Sequence, residues 1–260
     1  MSGILSDQQK DDFIRKGFLK IENAFSAEDA NAVLDILWAD IPFDRNDAGT
    51  WTEPVIRLGM YNSDPFVRSV NGDYLHQMFD ELVGKGKWLP CRSVGTFPVR
   101  FPSAKMPPDT GKHVDAGFPG TDLSNYFEWR INLHSKGRAL LMLVLYTDVA
   151  EQDAPTVIYE GSHFDVARLL ADKGPDGLSF LELAQQLDAL SGHKKTFAVG
   201  KAGTVYLCHP FIVHAAQAHY GEQPKFMAQP PLLLKNELNI DEQKGMLFPV
   251  EKAIQLALRK

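Results

Sequence analysis

Cysteine is scarce in this sequence, with only Cys91 and Cys208 among 260 residues. Two cysteines are too few for a disulfide framework or for a zinc site built from cysteines. Apolar runs are also short, and none approaches the roughly 20 residues that a membrane-spanning helix needs. The opening segment MSGILSDQQKDDF lacks the apolar region of a signal peptide. We therefore expect a cytoplasmic protein with no membrane partner.

An excess of positive charge is absent as well. The chain carries 27 Lys and Arg against 33 Asp and Glu, a net charge of −6, and its basic residues are scattered. Proteins that bind nucleic acids usually present a basic patch, because phosphate contacts dominate their affinity. We expect a small-molecule substrate, no nucleic acid, and a monomer or homodimer.

The hydrophobic fraction, 44%, is ample for a sizeable core. Ser6 and Ser26 are placed to cap two helices within residues 6–41, over residues 7–16 and over AEDANAVLDILWADI. Residues 43–72 are polar and broken by Pro, Gly and Asn, which predicts a long irregular segment. No internal repeat or linker divides the chain, so we predict one domain spanning residues 1–260, with a β core over about 90–235.

The β core is indicated by several short apolar segments. ALLMLVLYTDV is long enough for a strand buried on both faces, and PTVIYEG, KTFAVG, GTVYLCH and KFMAQPPLLL are its expected partners. A helical insert over residues 178–190 interrupts them. Many short strands with peripheral helices predict a mainly β fold, either a barrel or a sandwich.

The segment GKHVDAGF, residues 111–118, places an imidazole and a carboxylate one residue apart. In an extended chain alternate side chains share a face, so His113 and Asp115 would project together. One strand could then supply two ligands to a metal ion. The pattern arises often by chance, and a hydrogen-bonded turn explains it equally well at this point.

A third ligand must come from a distant segment, where three histidines are candidates. A turn at residues 220–221 predicts a hairpin that sets His214 opposite Lys225. His219 falls in the turn, where we expect it to be solvated. His209 precedes a proline, which disrupts strand pairing and favours a structural role. His214 is therefore the best third ligand.

Two histidines and one carboxylate on one side of a metal ion form the facial arrangement of non-haem Fe(II) oxygenases. Three coordination positions remain for a bidentate co-substrate and dioxygen. Zinc accepts the same ligands. A nearby Lys225 fits iron better, because Fe(II), one Asp and a doubly charged 2-oxoglutarate sum to −1, and one lysine restores neutrality.

Five segments between about residues 95 and 235 form a combined pattern. Singly, only the HxD pair with a distal histidine and a following basic residue carries weight. The segments are VRFP (99–102), GKHVDAGF (111–118), DAPTVIYEGSH (153–163), GTVYLCHPFIVHAA (203–216) and PKFMAQPP (224–231).

Taken together, these segments resemble the phytanoyl-CoA dioxygenase family of Fe(II)- and 2-oxoglutarate-dependent oxygenases. The resemblance implies a double-stranded β-helix, the jelly-roll or cupin-like barrel, with His113, Asp115 and His214 as iron ligands. It implies hydroxylation of an unactivated C–H bond by Fe(II), 2-oxoglutarate and O2, with release of succinate and CO2. Related halogenases lack the carboxylate, so the resemblance makes Asp115 a sign of oxygenation rather than halogenation.

The resemblance also points to residues for the co-substrate. The family has an arginine where this chain has Lys225, and a lysine offers a point charge rather than a bidentate grip. Either Lys225 binds the C5 carboxylate of 2-oxoglutarate less rigidly, or Arg100 or Arg130 shares the task. Thr156 and Gln229 are further candidates to line the co-substrate pocket, each with an ordinary buried role as the alternative.

Two other functions remain open from the sequence. A zinc-dependent hydrolase or isomerase could use the same three ligands on a jelly-roll barrel, but no nearby general base stands out and Lys225 would be idle. A non-catalytic metal-binding jelly-roll protein is the third possibility. Nothing in the sequence names the substrate.

Overall fold

The described part of the chain, residues 3–259 of a computed structural model, is built mainly of β-strands with helices around them, as predicted. The helices are α1 (Asp7–Lys16), α2 (Ala27–Ala39), α3 (Asp64–Asn71), α4 (Asp73–Phe79), α5 (Ser162–Leu170), α6 (Phe180–Leu187) and α7 (Pro249–Leu258). The strands are β1 (Phe18–Ile21), β2 (Val55–Leu58), β3 (Trp88–Leu89), β4 (Phe97–Arg100), β5 (Arg130–Ile131), β6 (Arg138–Leu145), β7 (Val157–Tyr159), β8 (Leu178–Ser179), β9 (Lys195–Phe197), β10 (Val205–Cys208), β11 (His214–Ala215), β12 (Met227–Ala228) and β13 (Pro231–Leu234).

A larger antiparallel sheet runs in the order β1-β10-β6-β13-β3, and β12 also pairs with β6. Every residue of β6 is buried, as its apolar sequence predicted, because neighbours cover both of its faces. A smaller sheet runs β11-β7-β9. The segments PTVIYEG and KTFAVG therefore pair in the smaller sheet, and the prediction that they flank β6 was wrong.

The two sheets pack through alternate residues of β6. Leu141, Leu143 and Leu145 join an apolar cluster with Ile158 of the smaller sheet and Met227 of β12. The intervening residues 140, 142 and 144 face a second cluster, which contains residues of the surrounding helices. This alternation follows from the two-residue period of a strand. Within residues 3–259 the strand pairing closes no sheet into a continuous barrel.

The two predicted N-terminal helices are confirmed. Ser6 caps α1 and forms a reciprocal capping box with Gln9. Gly17 ends α1 with φ of 87°, a left-handed conformation that favours glycine. Ser26 accepts a hydrogen bond from the Asp29 backbone at the start of α2. The predicted insert at 178–190 contains α6.

The prediction of an irregular segment over residues 43–72 was wrong in part. This region contains β2, which pairs with β4, and the helix α3. The proline at residue 65 lies in the first turn of α3, where its missing N–H costs nothing, and that signal could have located the helix. No helix in the part of the chain just described is long and apolar enough to cross a membrane.

Candidate metal centre

The HxD segment is extended and alternates between site and core. Val114 and Ala116 are buried among apolar residues, while His113 and Asp115 are half-buried. His113 and His214 exchange two backbone hydrogen bonds, of 2.9 and 3.0 Å, as an antiparallel pair. The pairing places the two imidazoles side by side, because directly opposed residues of antiparallel strands share a face.

The three side chains converge on a common point. Asp115 Oδ1 lies 3.8 Å from Nε2 of His113 and 3.8 Å from Nε2 of His214. The two imidazole centroids are 4.2 Å apart. Two donors that are each about 2.1 Å from one ion are separated by at most about 4.2 Å. The structure therefore brings the three predicted ligands within reach of a single metal ion.

Each imidazole is oriented by a backbone carbonyl two residues before it. Nδ1 of His113 lies 3.0 Å from the Gly111 oxygen, and Nδ1 of His214 lies 3.3 Å from the Ile212 oxygen. A carbonyl can only accept, so both rings carry their proton on Nδ1 and keep a lone pair on Nε2. Nε2 of His214 is buried and has no hydrogen-bond partner among the described residues, which suits a metal ligand.

The protonation states also suit metal binding. Burial raises the pKa of Asp115, but the positive charge of Arg138 and smaller effects of His214 and His113 outweigh it, so the pKa falls below its ordinary value. Burial, with the neighbouring His113, lowers the pKa of His214 to about 4. At neutral pH the site offers a carboxylate and a neutral imidazole, the forms that bind metals.

The glycines of GKHVDAGF differ in their roles. A side chain at Gly117 would meet the Lys136 carbonyl, and one at Gly137 would meet the Gly117 carbonyl. Open space surrounds the corresponding position of Gly111. Of the two glycines in this segment, only Gly117 is thus required for a close approach of the backbone.

Lys225 does not pair with His214, so the predicted hairpin was wrong. Lys225 exchanges backbone hydrogen bonds with Arg100 instead, which puts two cationic side chains on one face. Lys225 is fully buried, and its Nζ donates to the Ala154 carbonyl. Burial and the nearby Arg100 hold the pKa of Lys225 well below its usual range. Arg100 donates to Asp109 at 2.9 Å.

Several atoms around this cationic pair lack partners among residues 3–259: Nη1 of Arg100, Oδ1 of Asp109 and Nε2 of His219. His219 was expected to be solvated but is buried. Its carbonyl accepts from the Ser103 N–H and the next residue donates to the Gln152 carbonyl, so this segment packs against the protein and forms no exposed hairpin with Lys225. Burial is the main cause that lowers the pKa of His219, and Lys225 and Arg100 also contribute. We call Arg100, Lys225 and His219 the basic cluster.

The remaining candidates lie in different surroundings. Thr156 is buried, with its hydroxyl 3.5 Å from the Met227 sulfur. Gln229 is half-buried. The Arg130 guanidinium donates to the carbonyls of residues 176 and 177, at 2.7 and 3.0 Å.

Sequence reasoning missed three residues near the metal ligands. Arg138 Nη1 lies 3.4 Å from Asp115 Oδ2. The Tyr126 hydroxyl accepts from the Ala116 N–H at 3.1 Å. The Phe180 ring centroid lies 5.8 Å from that of His113. No motif or spacing marked them: Arg138 and Phe180 lie far along the chain from the residues that they approach, and no pattern singled out Tyr126.

Aromatic side chains form one border of the site. Tyr126 and Phe127 pack against Phe180, with centroids 5.2 and 6.0 Å apart, and Phe127 is 60% exposed. A cavity of about 350 Å³ opens beside Phe127, between residues 121–130 and 179–185. We call Tyr126, Phe127 and Phe180 the aromatic mouth.

No family model matches this sequence, and no curated protein sequence matches it. Solved structures do share its fold. The non-haem α-ketoglutarate-dependent carbocyclase SnoK of nogalamycin biosynthesis is 14% identical, with a TM-score of 0.58 over 90% of this chain and 86% of its own. The related epimerase SnoN is 16% identical, with a TM-score of 0.54 over 86% and 80%. HygX from Streptomyces hygroscopicus, with nickel, 2-oxoglutarate and hygromycin B bound, is 17% identical, with a TM-score of 0.54 over 86% of both chains. This chain therefore has the jelly-roll fold of these enzymes, as predicted.

Proposed function

We propose that this protein is an Fe(II)- and 2-oxoglutarate-dependent oxygenase that hydroxylates a small molecule. The observation that carries the proposal is the convergence of His113, Asp115 and His214, with no hydrogen-bond partner for Nε2 of either ring among residues 3–259. Two imidazoles and a single carboxylate leave half of an octahedral coordination sphere open. Enzymes with this fold have been solved with iron, nickel or 2-oxoglutarate bound, which supports the same cofactors here.

The three ligands would hold Fe(II), which with 2-oxoglutarate would activate O2 for attack on a C–H bond and yield succinate and CO2. This chain supplies orientation and charge balance. Fe(II), Asp115 and a doubly charged 2-oxoglutarate would sum to −1. The buried Arg138 beside Asp115, and the buried Lys225 near the Arg100–Asp109 ion pair, supply positive charge against it. Charge neutrality matters because an uncompensated charge is costly in a site that excludes water.

We assign the C5 carboxylate of 2-oxoglutarate to Lys225, with Arg100 beside it. Both side chains lie on one face, both are buried, and Nη1 of Arg100 has no partner in the described chain. The lowered pKa of Lys225 reflects burial beside another cation, and an arriving carboxylate relieves both effects. We assign Thr156 and Gln229 to the wall of the same pocket. Arg130 is engaged by backbone carbonyls and is assigned no contact to the co-substrate.

The substrate is proposed to approach over the aromatic mouth. Tyr126 and Phe180 lie next to the ligand segment, and the cavity beside Phe127 is within the size range of small-molecule pockets. Hydroxylation is the reaction we favour, because Asp115 occupies the coordination position that a halide would need. SnoN and SnoK are named as an epimerase and a carbocyclase, so the fold also serves other outcomes.

The test starts without oxygen. Fe(II) and 2-oxoglutarate added anaerobically should give a visible metal-to-ligand charge-transfer band, and admitting O2 should release succinate. A protein that binds zinc tightly and gives no band would contradict the proposal and favour the hydrolase. A band without succinate, across a screen of small molecules, would favour a non-catalytic metal-binding protein.

Co-substrate affinity separates the assignments of the basic side chains. Lys225→Met should weaken 2-oxoglutarate binding at least about 30-fold, since removing one partner of a buried charge pair costs about 2 kcal/mol or more. Lys225→Arg should retain binding, and Arg130→Met is the matched control, with a change below about threefold. The affinity is read from titration of the anaerobic charge-transfer band. Normal affinity in Lys225→Met together with a large loss in Arg100→Met would move the role to Arg100.

A further inference from the structure

Arg138 lies behind the metal carboxylate, at the first residue of the central strand β6. Its side chain is buried. Nη1 lies 3.4 Å from Asp115 Oδ2, and Nη2 donates to the Ala116 carbonyl at 3.1 Å. One guanidinium therefore contacts the side chain of a ligand and the backbone of the next residue. This two-point contact uses the fixed fork of an arginine, which a lysine cannot reproduce.

The backbone that carries Arg138 is itself held in place. The Arg138 N–H donates to the Ser135 carbonyl at 3.1 Å, and the Ser135 hydroxyl donates to the Arg138 carbonyl at 2.7 Å. Gly137 packs directly against the Gly117 carbonyl, without room for a side chain between them. The turn before β6 and the ligand segment are thus in backbone contact, so the guanidinium has a defined position relative to Asp115.

The carboxylate of an aspartate can present either oxygen, or both, to a metal ion, because its terminal torsion has broad and roughly two-fold preferences. Here the oxygens have different neighbours. Oδ1 of Asp115 lies between the Nε2 atoms of His113 and His214, whereas Oδ2 faces Arg138. A carboxylate that bound through both oxygens would occupy a coordination position that the co-substrate or dioxygen needs.

We infer that Arg138 is a positioning residue that holds Oδ2 of Asp115 away from the metal and makes this carboxylate a one-oxygen ligand. The inference rests on the proposed metal site. It goes beyond the ligand set because it assigns a function to a buried arginine that touches neither the metal nor the co-substrate. Partners of this kind typically change metal affinity about 10- to 100-fold when they are removed.

The experiment uses Co(II), whose visible absorption reports ligand number, added to the metal-free full-length protein. Arg138→Met should change Co(II) affinity about 10- to 100-fold and shift the absorption toward a higher coordination number, because Oδ2 of Asp115 is then no longer held away. Arg138→Lys keeps the positive charge without the fork and should give an intermediate spectrum. Melting curves of the metal-free proteins report any purely structural effect, which would lower stability without changing the Co(II) spectrum.

A double-mutant cycle tests whether Arg138 acts through the carboxylate. In an Asp115→Ala background, Arg138→Met should change Co(II) affinity by less than about twofold, because the contact is already absent. Equal losses in both backgrounds, or an unchanged affinity and spectrum in the single variant, would overturn the inference. If Arg138→Met does not fold, Co(II) affinity is compared in the same two backgrounds with Arg138→Lys and Arg138→Gln.

Wild-type protein separates this inference from the proposed function. If it binds neither Co(II) nor Fe(II), the metal site is wrong and Arg138 has no such role. If it binds both and Arg138→Met does too, with the same affinity and spectrum, the proposed function stands and only the positioning role fails.

Discussion

Histidine packs against histidine at two places in this fold. His113 and His214 have ring centroids 4.2 Å apart beside a carboxylate. His163, in the first turn of α5, and His209, just after β10, have centroids 4.8 Å apart. Both His163 and His209 are fully buried. Two imidazoles pack together at both places, but His113 is half-buried and the ring nitrogens that are engaged differ.

In the His163–His209 pair both Nε2 atoms donate hydrogen bonds to backbone carbonyls. Nε2 of His163 donates to the Ile14 carbonyl of α1 at 2.9 Å, and Nε2 of His209 donates to the Val250 carbonyl of α7 at 3.1 Å. The first hydrogen bond joins α5 to α1, and the second joins α7 to the segment after β10. In the His113–His214 pair a local carbonyl accepts from Nδ1, and neither Nε2 has a hydrogen-bond partner among residues 3–259. The backbone acceptor that each ring meets therefore decides whether Nε2 is used in a hydrogen bond or can bind a metal ion.

The largest expected effect comes from removing the Asp115 carboxylate, which lies beside the Nε2 atoms of His113 and His214. Asp115→Ala should weaken metal binding more than about 100-fold, beyond the range for an indirect partner, and should abolish succinate release from 2-oxoglutarate. Metal titration and a succinate assay measure both. Asp148→Ala, an exposed carboxylate paired with Lys201, is the matched control. Unchanged succinate release from the Asp115 variant would contradict its assignment.

A substitution in the His163–His209 pair should lower stability and leave the proposed metal site intact. His163→Ala removes a buried ring and its hydrogen bond to Ile14, and should lower the free energy of unfolding by about 3 kcal/mol at pH 7.5. Urea unfolding gives the stability, and Co(II) titration of the folded protein gives the affinity. A large loss of Co(II) affinity in this variant would break the contrast between the two pairs.

Lowering the pH should destabilise the protein through the His163–His209 pair, by a smaller amount than the His163→Ala substitution. Burial lowers the pKa of His163 to about 4, so between its ordinary value near 6.5 and pH 4 the unfolded chain binds a proton that the folded chain excludes. The contribution of His163 to the free energy of unfolding is therefore fully present above pH 6.5 and is lost as the pH falls toward 4. Burial also holds the pKa of His209 well below its ordinary value.

The size of this effect follows from comparing two proteins. Between pH 7.5 and 5.0 wild-type protein should lose roughly 2 kcal/mol more stability than His163→Ala, since the other titrating groups contribute to both. Urea unfolding of the metal-free proteins at the two pH values measures the difference. Equal losses would show that His163 does not titrate in this window.

The sequence supported accurate prediction wherever the relevant interactions are local. The caps at Ser6 and Ser26, the buried strand β6 and the shared face of His113 and Asp115 all depend on residues a few positions apart. The choice of His214 rested on the resemblance and on elimination, and the structure places it with the other two ligands. The assignment of residues 1–260 to one domain stays a prediction.

Predictions that depended on pairing distant segments succeeded less well. The hairpin that set Lys225 opposite His214 was wrong, because an assumed turn fixed a register that long-range contacts override: His214 pairs with Ile158, and Lys225 with Arg100. His219 was misplaced for the same reason. The helices α5 and α7 were not predicted, and their packing sites lie on α1 and on each other.

By itself, the sequence determined the residue types of the candidate site, the two-residue spacing that puts imidazole and carboxylate together, and the apolar pattern of a mainly β fold. Covalent neighbours fix these features, because strand geometry alternates side chains whatever surrounds the strand. Only the tertiary structure decided which histidine Nε2 atoms converge on Asp115 and which donate to a carbonyl, and that Arg138 contacts Asp115. Those outcomes depend on where segments far apart in the chain meet, and no local pattern specifies that meeting.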